Sequence, residues 1–257
     1  MGAMITRKPQ KERLDVALVE RKLSASREKA RRAVMAGIVL VNGQCVTKPG
    51  QLVAPTDQLS VKEGEKYVSR GGLKLEHALK CFQLDAKDWI AVDLGASTGG
   101  FTDCLLQAGA AKVYAVDVGV GQLAWKLRQD SRVVVMEKTN ARNLLKEAFP
   151  AGFEAPDAVV IDCSFISLRK ILPSAITLCR PGSKIVALIK PQFEAGKAEA
   201  DKGRGVITDP DIHNRILMEL HHFCETLAGI VWHSVTESPL KGPAGNKEYF
   251  VLLEKTG

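Results

Sequence analysis

The chain has 257 residues, of which 46% are hydrophobic and 25% charged, and this is enough to bury at least one complete core. No run of 18 apolar residues occurs and the first residues are polar, so the sequence predicts neither a membrane span nor a signal peptide. Six scattered cysteines without a C-x-x-C pair, and five histidines without ligand spacing, indicate a cytoplasmic protein with reduced thiols and no metal site.

The net charge of +7 is confined to the first quarter of the chain. Residues 1–62 contain 12 lysines and arginines against 5 acids, whereas residues 63–257 contain 24 of each. A basic block in an otherwise neutral chain indicates a polyanionic partner for that block.

The first quarter predicts a small α+β unit. Apolar spacing from Leu14 predicts a short amphipathic helix. The stretch Ser24-Ala25-Ser26-Arg27-Glu28 supplies an N-cap and an early acid for a second helix, which ends at Gly37. The remaining predicted elements are a hairpin turning at Asn42-Gly43, with strands at residues 38–41 and 44–46, and a further strand at residues 58–62.

The motifs of this unit are Arg13-Leu14-Asp15, Ser26-Arg27, Gly37 and Val41-Asn42-Gly43. In order and spacing they resemble the small RNA-binding module named after a small-subunit ribosomal protein. The resemblance implies that basic side chains of the two helices contact phosphates of ribosomal RNA, which gives affinity and orientation with little sequence choice. The residues that it assigns to this role are Arg13, Arg27, Lys29, Arg31 and Arg32.

A composition change separates this unit from the rest of the chain. We expect an RNA-binding domain at residues 8–64, a short polar linker at residues 65–70 and a second domain at residues 71–257. The second domain opens with a predicted helix at residues 73–79, whose Lys74 enters the argument below.

From residue 89 onward, strand and helix patterns alternate, which predicts a doubly wound α/β sheet with ligands at the carboxyl ends of its strands. The predicted buried strands are residues 89–94, 113–116, 133–136, 158–162 and 184–189. The predicted helices are residues 100–108, 122–128, 141–149 and 168–178. A longer helix at residues 209–227 and an antiparallel pair at residues 230–236 and 249–253 complete a Rossmann-like, seven-stranded sheet.

The first strand of this domain ends at an acid and a turn rich in glycine, serine and threonine. The turn has neither G-x-G-x-x-G nor G-x-x-x-x-G-K-[ST] spacing, which argues against a dinucleotide or nucleoside triphosphate. Asp117 follows Asp93 by 24 residues at the end of the next strand, where an acid suits two ribose hydroxyls. This pattern resembles motif I of S-adenosylmethionine-dependent methyltransferases. The residues assigned to the donor are Asp93, Gly95, Ser97, Thr98, Gly99, Gly100, Phe101, Asp117, Asn140, Ala141 and Asp162.

Four charged residues suit methyl transfer to a ribose hydroxyl, which is a poor nucleophile. Asp162 and Lys190 end predicted strands, Glu248 opens the last strand, and Lys74 lies on the first helix. Their order resembles ribose 2′-O-methyltransferases of the FtsJ type. With the basic module, the chain resembles the TlyA (hemolysin A) family, which implies a cytidine in ribosomal RNA as the target. We assign Lys190 to accept the proton or stabilise the alkoxide, and the other three to orientation.

Two neighbouring features bear on the target. Asp162-Cys163-Ser164-Phe165 stands where amino-methyltransferases carry Asp/Asn-Pro-Pro-aromatic, and the missing prolines count against methylation of a base amine while leaving it open. Cys163 is interpreted as a packed small residue. The glycine-rich basic segment 192–206 predicts a mobile loop over RNA.

The loop residues Lys202 and Arg204, with Arg70, are further RNA-binding candidates. The remaining alternative is a non-catalytic protein that binds ribosomes or lyses membranes. The intact donor motif and the lack of an amphipathic membrane helix count against direct lysis.

Overall fold

The structure is a computed structural model that describes residues 11–62, 65–196, 199, 201 and 203–257; Lys202 therefore lies outside the described residues. The chain divides into two compact units, Met1–Lys66 and Tyr67–Gly257, called here the N-terminal and C-terminal units.

The N-terminal unit combines two short helices with small sheets. Its elements are β1 (Glu12–Arg13), α1 (Leu14–Glu20), α2 (Arg27–Met35), β2 (Val39–Val41), β3 (Gln44–Cys45), β4 (Leu52–Val53) and β5 (Leu59–Val61). Strand β2 lies between β3 and β5, and the two-residue strands β1 and β4 form a separate antiparallel pair.

Local sequence explains the boundaries of α2. The Ser26 hydroxyl accepts a hydrogen bond from the Lys29 backbone N–H, which caps the helix start. Gly37 follows the helix with a φ of +70°, a left-handed conformation that glycine adopts without steric cost. Leu14, Leu18 and the other apolar residues of the two helices form one buried core with the strands.

The C-terminal unit is a seven-stranded sheet with helices on both faces. Its elements are α3 (Arg70–Cys81), β6 (Ile90–Leu94), α4 (Gly100–Gln107), β7 (Lys112–Val116), α5 (Trp125–Arg128), β8 (Val133–Met136), β9 (Ala158–Ile161), α6 (Leu168–Leu178), β10 (Lys184–Ile189), α7 (Pro191–Glu194), α8 (Pro210–Glu225), β11 (Ile230–Glu237) and β12 (Tyr249–Lys255). The strand order is β11-β12-β10-β9-β6-β7-β8.

Strands β8, β7, β6, β9 and β10 run parallel, and β12 is antiparallel to both β10 and β11. Successive side chains of β6 pack on opposite faces of the sheet. Val92 packs in the hydrophobic cluster that contains α6, and Ala91 packs in the cluster that contains α3 and α4. The predicted α/β class and seven-stranded sheet are confirmed.

Two predicted helices are wrong or too long. Residues 141–149 form two short 3₁₀ turns, Ala141–Asn143 and Lys146–Ala148. The Asn140 side chain accepts a hydrogen bond from the Arg142 N–H, and the Phe149 ring stacks on that of Phe153; both contacts compete with a continuous α-helix. In the predicted helix 122–128 only α5 is helical, since the Ala124 N–H bonds to the Thr98 carbonyl.

The start of the C-terminal unit is also part of its core. Tyr67 is buried in the cluster that contains α3, Val68 packs against it, and α3 begins at Arg70. These three residues of the predicted linker therefore pack or fold with this unit. Within the described ranges, no helix is long and apolar enough to span a lipid bilayer.

Candidate active site

The glycine turn after β6 is shaped by contacts between parts of the protein. At Gly95, a Cβ atom would lie 2.9 Å from the Asp162 carbonyl oxygen, and φ is +86°. At Gly99 it would lie 2.3 Å from a Leu127 methyl, and at Gly100 it would lie 2.2 Å from the Ser69 hydroxyl. Gly99 and Gly100 therefore allow close packing of α5 and α3, and their assignment to the donor stays a prediction.

A cleft of about 480 Å³ opens at the carboxyl ends of β6, β7 and β9, a size in the usual range for small-molecule sites. Of the predicted donor residues, those that line it are Gly95, Ser97, Asp117, Asn140, Ala141 and Asp162. Those that do not line it, in the described part of the chain, are Asp93, Thr98, Gly99, Gly100 and Phe101. The Phe101 ring instead lies in the core, 6.0 Å from that of Phe250.

Asp117 is fixed at the cleft by backbone hydrogen bonds. One carboxylate oxygen accepts from the Ser97 N–H at 2.8 Å and the other from the Gly119 N–H at 2.7 Å. Each carboxylate oxygen has a second lone pair, so the group can still accept two hydroxyl donors from a ligand in the cleft.

Asp93 is a completely buried carboxyl group beneath the cleft. Its Oδ2 accepts from the Thr102 hydroxyl at 2.7 Å, but its Oδ1 has no hydrogen-bond partner among the described residues. Burial, opposed by the Thr102 bond and reinforced by the nearby Asp162, raises the pKa of Asp93 to about 7. A cation in this part of the cleft would favour the ionised form.

Lys190 and Asp162 form an ion pair at the carboxyl ends of β10 and β9. The Lys190 ammonium lies 2.6 Å from Asp162 Oδ1 and donates to the Ser164 hydroxyl at 2.8 Å. Its third contact is the Asp162 backbone carbonyl oxygen at 3.5 Å, the longest of the three and the one that a substrate oxygen could replace.

Lys74 and Glu248 form a second, deeply buried pair. The Lys74 ammonium on α3 donates to Glu248 Oε2 at 2.5 Å, and both side chains are at most 9% exposed. Ile189 of β10 lies opposite Tyr249 of β12, so the next residues of the two strands, Lys190 and Glu248, follow at the same end of the ladder. The structure thus brings the four predicted catalytic residues to one end of the strands, at the carboxyl ends of β9 and β10, as two lysine–carboxylate pairs.

Cys163 is unsuited to nucleophilic catalysis. Burial, reinforced by Asp162, raises the pKa of its thiol to about 12, so the reactive thiolate is scarce at neutral pH. This agrees with its interpretation as a packed residue.

Several cleft residues were missed by sequence reasoning. They are Val116, Val118, Gln122, Thr139, Cys163, Ser164, Phe165, Ile166 and Ile171. Phe165 is the most distinctive, because its side chain is 90% exposed, its φ is +63° and its ring lies 5.1 Å from that of Phe193. The sequence signal that could have identified Phe165 as a site residue was its place as an aromatic residue three positions after Asp162.

Side chains near β12 hold the segment that precedes α8. The buried Asn246 accepts from the Ile207 N–H and donates to the Gly205 carbonyl, each at 2.8 Å. His213 Nε2 lies 3.0 Å from the Ile207 carbonyl oxygen. The neighbouring Arg204 is exposed. Arg70 is also exposed, and its guanidinium donates a hydrogen bond to the Lys241 carbonyl oxygen.

In the N-terminal unit, all five predicted RNA-binding side chains are exposed. Arg13 lies in β1, and the other four lie on α2. Arg13 and Arg27 both bind the buried carboxylate of Asp15. No group of three or more histidine, cysteine, aspartate or glutamate side chains in the described chain could hold a metal ion.

Comparison with known proteins agrees with this geometry. The sequence model of the FtsJ-like methyltransferases matches residues 67–255, and that of the S4 domain matches residues 12–59. The fold and cleft are therefore those of a methyltransferase joined to an RNA-binding module. The chain belongs to the TlyA (hemolysin A) family of FtsJ-like methyltransferases.

The relatives span nearly the whole chain. YqxC of Bacillus subtilis is 52% identical over 96% of this chain and 87% of its own length. The 16S/23S rRNA (cytidine-2′-O)-methyltransferase TlyA of Mycobacterium tuberculosis is 45% identical over 94% of this chain and 89% of its own length. The solved structure of a candidate hemolysin from Streptococcus thermophilus, 45% identical, superposes with a TM-score of 0.71 over 97% of this chain and 90% of that one.

Proposed function

We propose that the protein transfers a methyl group from S-adenosylmethionine to the ribose 2′ oxygen of a cytidine in ribosomal RNA, in the cytoplasm. The observation that carries the proposal is the juxtaposition of two lysine–carboxylate pairs, Lys190–Asp162 and Lys74–Glu248, at the carboxyl end of β10; of the four residues, Asp162 lines the cleft. The name of the Mycobacterium tuberculosis relative supports the cytidine and the ribose oxygen.

The cleft fits the donor in charge and in size. Asp93 lies buried beneath the cleft with an Oδ1 that has no partner among the described residues, so its charge favours a cationic ligand above it. The fixed carboxylate of Asp117 lines the cleft and is suited to ribose hydroxyls. Gly95, Ser97, Asn140 and Ala141 form other parts of the wall. When bound, S-adenosylmethionine supplies an electrophilic methyl group on a sulfonium.

Lys190 is the residue that acts on the ribose hydroxyl. Its ammonium contacts Asp162 Oδ1 and Ser164 Oγ and, at 3.5 Å, the Asp162 carbonyl oxygen. A ribose 2′ oxygen that replaces this longest contact receives an N–H that stabilises its developing negative charge. Asp162 holds the ammonium in place and can receive the proton through it. Lys74 and Glu248 neutralise each other and fix the neighbouring edge of the site.

RNA is held by basic side chains and by one aromatic ring. We propose that the N-terminal unit supplies phosphate contacts through its exposed arginines and lysines, and that Arg70, Lys202 and Arg204 add contacts from the C-terminal unit. The exposed ring of Phe165 at the cleft is suited to stack on the target base. Methylation of a base amine has no specific support, because the two prolines of the amino-methyltransferase motif are replaced by Cys163 and Ser164.

The test compares Lys190→Ala with Lys184→Ala, a lysine at the other end of β10 that pairs with Glu254. Lys190→Ala should lower turnover by roughly 10²- to 10⁴-fold with near-normal donor and RNA binding, because one proton-transfer group is lost. Lys190→Arg should also fail, because a guanidinium stays protonated and has a different shape. Lys184→Ala should retain activity.

The position of the methyl group decides between ribose and base. Mass spectrometry of the digested RNA product should find the added mass on the sugar after base removal, and RNA with 2′-deoxyribose at the target should not react. A methyl group on the base, or normal turnover of the deoxy substrate, would contradict the proposal.

A further inference from the structure

A buried carboxylate in the N-terminal unit binds two exposed arginines at once. Asp15, in the first turn of α1, has no solvent exposure. Its Oδ1 accepts from Arg13 Nε at 3.0 Å, and its Oδ2 accepts from Arg13 Nη2 at 3.3 Å and from Arg27 Nε at 3.0 Å. The guanidinium of Arg13 therefore binds side-on, and that of Arg27 shares the same carboxylate.

The two guanidiniums are held on one side and open on the other. The Arg13 side chain is 48% exposed and that of Arg27 is 60% exposed. Within the described chain, Arg27 binds Asp15 through Nε, so both of its terminal nitrogens remain as donors. Gly50 lies against the Arg13 guanidinium, where a Cβ would come within 3.0 Å of Nη1.

The carboxylate is ionised under ordinary conditions. Burial alone would favour the protonated form, but the hydrogen bonds and charges of Arg13 and Arg27 outweigh it and lower the pKa of Asp15. The cluster of one carboxylate and two guanidiniums thus carries a net charge of about +1 with fixed geometry.

We infer that Asp15 is a positioning residue for RNA binding, which orients Arg13 and Arg27 as a preformed two-arginine clamp for an RNA phosphate. A free arginine loses side-chain entropy when it binds a phosphate, and a guanidinium already fixed through Nε has lost part of it beforehand. The terminal nitrogens left free match the bidentate geometry of a phosphate. This inference rests on the proposed RNA-binding role of the N-terminal unit.

The clamp and simple charge attraction predict opposite effects of Asp15→Asn on RNA affinity. Asp15→Asn removes a negative charge, which by long-range electrostatics alone would tighten binding to a polyanion. If Asp15 positions the arginines, the same change should weaken binding to transcribed 16S and 23S rRNA by about 5- to 100-fold, because two arginines must be ordered on binding. The slope of log affinity against log salt should become shallower by about one unit per lost phosphate contact.

The matched control is Glu20→Gln, which removes one negative charge from an exposed side chain on α1 that pairs, in the described chain, with none of the five predicted RNA-binding residues. It should bind RNA as tightly as the wild type or tighter. Asp15→Asn binding at wild-type affinity or tighter, with the same salt slope, would overturn the inference.

A second variant covers loss of folding. If circular dichroism or hydrogen exchange shows that Asp15→Asn unfolds the N-terminal unit, Arg27→Lys is decisive, because it keeps every charge but replaces the planar donor group by a point charge. The inference requires several-fold weaker binding by a folded Arg27→Lys protein, and wild-type affinity would overturn it.

The triple change Lys29→Gln, Arg31→Gln and Arg32→Gln tests the underlying function separately. If it leaves RNA affinity unchanged, the RNA-binding role of the unit is wrong, and the inference is overturned with it. If it weakens binding while Asp15→Asn does not, the clamp alone is wrong.

Discussion

The isosteric change Asp93→Asn should alter how the stability of the donor-free protein depends on pH. The Asp93 side chain is fully buried, and its pKa is about 7 against an ordinary value of 3.8. Asparagine retains an acceptor for the Thr102 hydroxyl but cannot ionise. A difference of about three pKa units corresponds to about 4 kcal/mol of free energy of unfolding.

The sign follows from the direction of the shift. Because the folded-state pKa is raised, the folded protein binds the Asp93 proton more tightly than the unfolded chain does. The resulting stability is fully present below about pH 4 and is lost as the pH rises to about 7. The wild type should therefore weaken relative to Asp93→Asn by about 1.4 kcal/mol per pH unit in that window, with a constant difference above it.

Urea unfolding of both proteins between pH 4 and pH 8.5, without donor, measures this difference. Its pH slope carries the test, because any fixed cost of burying the amide is the same at every pH. S-adenosylmethionine should stabilise the wild type more at pH 8 than at pH 6, since a cation favours the ionised carboxyl group, and the variant should lose this pH dependence. Parallel stability curves for the two proteins would refute the assigned charge state of Asp93.

Two further predictions concern packing around the site. Gly100→Ala should lower the free energy of unfolding by about 1–3 kcal/mol, because its Cβ would collide with Ser69 at the start of α3. Gly196→Ala should be neutral in the same thermal unfolding assay, because in the described chain no atom beyond its own neighbours lies within 4 Å of the added Cβ. Asn246→Ala should speed hydrogen exchange of residues 203–207 and cost about 1–3 kcal/mol for each buried backbone group left without its partner. Unchanged exchange there would show that Asn246 does not hold this segment.

Sequence determined the features that depend on neighbouring residues. The alternation of short continuous apolar runs with segments of helical apolar spacing predicts the α/β sheet, because run length and the 3.6-residue period reflect local backbone geometry. Ser26 and Gly37 bound α2 for similarly local reasons, through a side-chain cap and a left-handed backbone conformation. The charge excess also singles out the N-terminal unit without reference to structure.

Some sequence-based assignments stay predictions. The domain limits at residues 64 and 71 and the individual roles of the donor, catalytic and RNA-binding residues rest on resemblance and on the geometry described above. Residues 141–149 were misinterpreted as a helix, because the contacts made by Asn140 and Phe149 outweigh their helical spacing.

Only the tertiary structure decided how distant residues meet. Lys74 and Glu248 are 174 positions apart, and their pairing depends on the packing of α3 beside the antiparallel strand β12. The register of β12 against β10 then sets Glu248 at the same end as Lys190. Asp15 likewise meets Arg27 only because α1 packs against α2. Such contacts depend on interactions between elements, which no local propensity specifies, whereas the elements themselves are largely set by nearby sequence.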